Sequence, residues 1–71
     1  MKTEITIRFN DAATRACFTD TILTETERQA LNGICGGFYF TTDRDAFTFM
    51  AAIATEGFCI SDFDGIEFKA Q

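Results

Sequence analysis

Between Asp43 and Glu56 the chain carries its strongest periodic signal, and that signal leaves few folds open. On a helical wheel Phe47, Met50, Ala54, Ala46, Ile53 and Phe49 cover one broad arc, while Arg44, Asp45, Thr48, Thr55 and Glu56 fall on the other. Thr42 or Asp43 stands where a cap is needed, and Gly57 stands where the helix must stop. Such a helix has to lay its apolar arc on a broad apolar surface. The rest of the chain provides strands for it. Residues 3–9 (TEITIRF) alternate, with Ile5, Ile7 and Phe9 on one face and Glu4, Thr6 and Arg8 on the other, the mark of a strand buried on one side. Residues 37–42 (GFYFTT) are aromatic and Thr-rich, with Phe38 and Phe40 on one face and Tyr39 on the opposite one. Ile66–Ala70 alternates again.

The remaining segments complete the order. Asn10 or Asp11 can cap a helix over roughly 11–19. Thr24-Glu25-Thr26-Glu27 fits a capping box, and Gly33 supplies a left-handed stop for a helix over about 25–32. Phe58-Cys59-Ile60 reads as a short strand. Ser61-Asp62-Phe63-Asp64-Gly65 reads as a turn closing on an Asp-Gly hairpin signal, so the last two strands are expected to form a hairpin. The fold class is α+β, a two-layer sandwich of about four strands with two or three helices packed on one face, in a single domain spanning 1–71. Phe47, Met50 and Ile53 are expected to meet Ile5, Ile7, Phe38, Phe40 and Phe68 across the layers. Phe18, Tyr39 and Phe63 have no place on those inner faces, and Phe63 is expected at a turn tip.

Seventy-one residues bury a modest core, and nine Phe are how so short a chain reaches the needed area. The net charge is −5, and it is uneven. Residues 1–42 hold five acids and four bases, whereas residues 43–71 hold six acids against only Arg44 and Lys69. With no basic cluster to neutralise phosphates, direct nucleic-acid binding is disfavoured, and so is an anionic membrane surface. A basic protein surface is the complementary partner.

Chemistry is narrowed by what the chain lacks. Without His there is no Ser–His or Cys–His nucleophile pair, and Ser61 is the only serine. Cys17, Cys35 and Cys59 form no CxxC and are odd in number, so they read as small, buried or half-buried thiols in a reducing cytoplasm rather than as a disulfide or zinc framework. Asp62-Phe63-Asp64-Gly65 lacks the other ligands of a calcium loop, and Gly33-Ile34-Cys35-Gly36-Gly37 lacks the Lys-Ser/Thr of a phosphate loop. No cofactor or metal is implied. The first residues, Met1-Lys2-Thr3-Glu4-Ile5, show no apolar leader, and Ala46–Ala54 is too short to span a bilayer.

The expectation is therefore a non-enzymatic protein-binding module: an acidic inhibitor or decoy that docks on a basic, nucleic-acid-binding surface of a larger partner, as phage-encoded anti-CRISPR-type inhibitors of host defence complexes do. Its expected contact residues are Asp62, Phe63, Asp64, Glu67, Glu56 and Tyr39. A homo-oligomeric accessory subunit, a homodimer for instance, is the second reading. A small carboxylate enzyme or metal binder at Asp62 and Asp64 is the third.

Overall fold

The computed structural model describes residues 2–71, in which the alternation of Ile5, Ile7 and Phe9 becomes strand β1 (Thr3–Phe9) with all three side chains buried. Asp11 turns the chain into helix α1 (Ala12–Thr21) by accepting the Thr14 N–H at 2.7 Å. Helix α2 (Glu25–Gln29) opens with the expected capping box, in which Thr24 accepts the Glu27 N–H and Glu27 accepts the Thr24 N–H. Strands β2 (Asn32–Ile34) and β3 (Gly37–Thr42) form a hairpin, helix α3 (Ala46–Thr55) follows, and a single 3₁₀ turn at Ile60–Asp62 leads into β4 (Phe63–Ala70).

The sheet runs β2-β3-β1-β4 with every neighbouring pair antiparallel. The first strand therefore lies inside the sheet, flanked by β3 and β4. Each helical connection steps over one strand, which gives two interleaved split βαβ units in a ferredoxin-like arrangement. That arrangement serves many functions and specifies none. Helices α1 and α3 cover one face only, so the molecule is the two-layer α+β sandwich that the periodicities imply.

The core is a web of phenylalanines. Phe18 of α1 is fully buried, with ring centroids 5.3 Å from Phe9, 5.5 Å from Phe63 and 6.0 Å from Phe49. Phe49 of α3 reaches Phe40 at 5.8 Å and Phe68 at 6.2 Å. Such edge and tilted contacts add to the area buried by each ring. Between β1 and β3 the chains approach so closely that a Cβ on Gly37 would sit 1.9 Å from the Ile7 carbonyl oxygen, which restricts this position to glycine.

Several sequence expectations are corrected. Residues 58–60 form no strand, and the Asp64-Gly65 signal marks no hairpin. Instead β4 runs unbroken from Phe63, with Arg8 opposite Gly65 and Phe9 opposite Phe63, leaving Asp64 as the unpaired residue of a bulge. Phe63 is consequently a core residue, 8% exposed, rather than a turn tip, and Phe18 also belongs to the core. In α3 it is Phe49 and Ile53 that are buried, with Met50 half-buried, while Phe47 is 84% exposed. Residues two apart on a helix point about 200° apart, so Phe47 and Phe49 cannot both face the sheet. Finally, Gly33 lies in β2, and the left-handed backbone of that region is at Gly36 (φ 81°) in the β2–β3 turn. Gly57 (φ 86°) does end α3 as expected.

Candidate functional site

The contact residues expected from sequence do not converge. Tyr39 and Glu67 lie on the uncovered face of the sheet, both opposite Thr6 of β1. Asp64 is exposed at the bulge, and Glu56 is exposed at the C-terminal cap of α3, in the helical layer. Asp62 is tied to its own turn, accepting the Cys59 N–H at 2.9 Å. Phe63 is unavailable because it fills the core. The uncovered sheet face is balanced in charge, since Glu4 and Glu67 share it with Arg8 and Lys69. The excess of acids therefore sits on the helical layer and its loops.

Two of the hollows on the described surface bear on function. The larger, about 340 Å³, is lined by Lys2, Thr24, Glu27, Thr42, Asp43 and Arg44, among others. Its floor is Glu27, a buried carboxylate whose acceptors are already taken. Arg44 grips it with both Nε (2.9 Å) and Nη2, Thr42 donates its hydroxyl, and the Thr24 N–H donates at 2.9 Å. Arg44 Nη2 also donates to the Ile22 carbonyl at 3.0 Å, and its guanidinium lies over the Phe49 ring at 4.7 Å. Burial pushes the Glu27 carboxyl up, but the hydrogen bonds from Arg44, Thr42 and Thr24 and the Arg44 charge outweigh it, holding the group below the usual carboxylate range. This is a clamp that ties α2, β3 and the entry to α3 together. The smaller hollow, about 250 Å³, is lined by Phe9, Asp11, Ala12, Arg15 and Gly36.

No three His, Cys, Asp or Glu side chains among the described residues are grouped to hold a metal ion. Asp62 and Asp64 belong to different elements, a capped turn and a bulged strand. Cys17, Cys35 and Cys59 are free and all exposed, correcting the expectation of buried or half-buried thiols. Each lies on a helix face or a loop that turns to solvent. No helix among the described residues is long and apolar enough to cross a membrane.

The feature that sequence reasoning missed is the outer face of α3. The helix contains no charged residue, and Phe47, Ala51 and Ala54, spaced to stack on one side, are all exposed. Asp43 and Asp45 precede this stripe and Glu56 follows it, while Arg44 is drawn away beneath the helix to Glu27. Asp45 is held below the usual carboxylate range by the Thr48 N–H that it accepts. Asp43 is lowered by Lys2, 2.9 Å away. The uncharged run at 46–55 was the available signal: its apolar arc, from Phe49 round to Phe47, is wider than one sheet can cover.

Compared with protein-family models, curated proteins and solved structures, the chain matches none.

Proposed function

We propose that the protein is a non-enzymatic binding module that docks through α3 on a basic surface of a larger protein. The observation that carries this reading is Phe47, 84% exposed on a helix without charges. A large aromatic ring held on a rigid helix is the kind of anchor that dominates protein interfaces when it enters a pocket. The carboxylates of Asp43, Asp45 and Glu56 at both ends of the stripe favour Lys and Arg around that pocket. They disfavour a second copy, because an antiparallel α3 pair would set Asp43 and Asp45 of one chain against Glu56 of the other. Where the basic surface is a nucleic-acid-binding groove, the docked module excludes the nucleic acid, which is how an anti-CRISPR-type decoy encoded by a phage acts on a host defence complex.

The test is recovery of a partner with the tagged wild-type protein, followed by affinity measurements on the purified pair. Phe47→Ser is expected to weaken binding at least tenfold without changing the melting temperature. Association should slow as salt rises, and duplex DNA should compete. A partner that binds Phe47→Ser as well as wild type, and is indifferent to salt, refutes the reading.

A further inference from the structure

The two edges of the sheet are unequal. One is β2, only three residues long; the other is β4, which runs for eight residues without proline. Long open edges are templates for another strand, and proteins usually shorten, charge or cover them. Ile66 and Phe68, on the inner face of β4, remain half-buried because the core thins out at this edge.

The backbone of β4 shows which groups are free. The Gln71 N–H donates to the Lys2 carbonyl, so Lys2 and Gln71 are a hydrogen-bonded pair. Alternation along an antiparallel ladder then directs the N–H and C=O of Lys69, Glu67 and Gly65 toward β1. Those of Ile66, Phe68 and Ala70 point outward, away from the sheet.

We propose that β4 pairs with β4 of a second copy, antiparallel about a two-fold axis at Phe68, joining two sheets into one. The register follows from charge. Centring the axis on Glu67 sets Glu67 against itself, and centring it on Lys69 sets two lysines together. Centring it on Phe68 places Glu67 opposite Lys69 of the second copy, twice over by symmetry. It also brings the outward-pointing backbone groups into contact, Phe68 with Phe68 and Ile66 with Ala70. Glu67 and Lys69 lie in non-hydrogen-bonded positions of that new ladder, where side chains approach most closely. Both are exposed, and neither takes part in an ion pair within the described residues. Pairing also covers the half-buried flank of Ile66 and Phe68 with the same residues of the second copy. The occupant is a second copy because the strand is complementary to itself in this one register. The pairing is specified by β4 residues alone, so its test is distinct from that of Phe47→Ser.

Sedimentation equilibrium of the wild-type protein should show a dimer at micromolar to high-micromolar concentration. Glu67→Lys or Lys69→Glu alone should weaken dimerisation roughly thirtyfold, since two symmetry-related pairs become repulsive. The double reversal Glu67→Lys/Lys69→Glu should restore it. Ala70→Pro, which removes an outward N–H without touching the bonds to β1, should also give monomer while keeping the circular dichroism of the fold. A wild type that stays monomeric at high-micromolar concentration overturns the proposal, even if the edge accepts a foreign extended peptide. A dimer that survives both single reversals and Ala70→Pro overturns it as well.

Discussion

Replacing Arg44 by alanine removes the cation that compensates the buried Glu27 carboxylate. The Glu27 side chain is 4% exposed and that of Arg44 is 23% exposed, so the pair is largely shielded from water. Breaking a buried pair by removing one partner costs about 3–5 kcal/mol. The partial exposure of Arg44 argues for the low end, and the lost contacts to the Ile22 carbonyl and the Phe49 ring argue against going lower. A loss of about 3 kcal/mol in a domain of this size lowers the melting temperature by roughly 15 °C. Urea denaturation followed by circular dichroism measures it directly. The pH dependence has a definite sign. In the wild type the Glu27 carboxyl titrates below its ordinary value, so its contribution is complete above the usual carboxylate range and is lost as pH falls through the lowered value. Without Arg44, burial is opposed only by Thr42 and Thr24, and the carboxyl takes up its proton at higher pH. The gap between wild type and Arg44→Ala should therefore narrow as pH falls from 7 into the acid range. The lowered Asp11 and Asp45 caps titrate alike in both proteins and cancel in this difference. In a Glu27→Gln background the cost of Arg44→Ala should no longer vary with pH. A destabilisation below about 0.5 kcal/mol, typical of a plain surface substitution, would refute this account, as would a gap that does not change with pH.

Phe49→Ala and Phe63→Ala should each cost about 3–5 kcal/mol in the same denaturation assay, whereas Phe47→Ala should stay within about 0.5 kcal/mol; equal effects at 47 and 49 would place the helix the other way round. Gly37→Ala should cost about 3 kcal/mol, because the new methyl meets the Ile7 backbone rather than a side chain that can move. A neutral Gly37→Ala variant would refute this close approach of β1 and β3.

Much of the framework was legible because it is local. The alternation at 3–9, the Thr24–Glu27 capping box and the strand at 37–42 each follow from residues within a few positions of one another. The errors arose where two local signals competed or where a distant partner decided. Asp64-Gly65 is a good hairpin dipeptide, yet Arg8 and Phe9 hold both sides of it in one strand, and the mismatch is absorbed as a bulge. Misreading that turn removed Phe63 from the core. In α3, Phe47 and Phe49 lie at the two ends of one broad apolar arc, and only the positions of Phe18, Phe40 and Phe68 decide which end is buried. Glu27 is legible as the capping-box partner of Thr24, but its pairing with Arg44, seventeen residues away, has no local trace. Which side of α3 is left exposed depends on the sheet beneath it, and that sheet is assembled from distant segments.

The interior position of β1 also governs when the protein can acquire its shape. On a ribosome β1 emerges before both of its neighbours, β3 and β4, the latter drawn from residues 63–70. Until that segment has left the exit tunnel, one side of β1 has no hydrogen-bonding mate, and Ile5, Ile7 and Phe9 face an incomplete layer. Pairings between such distant parts of a chain make folding slow relative to helical bundles of the same length. From the emergence of β1 to that of β4 the apolar strand is therefore unguarded, and the yield in cells should depend on how quickly translation covers that interval.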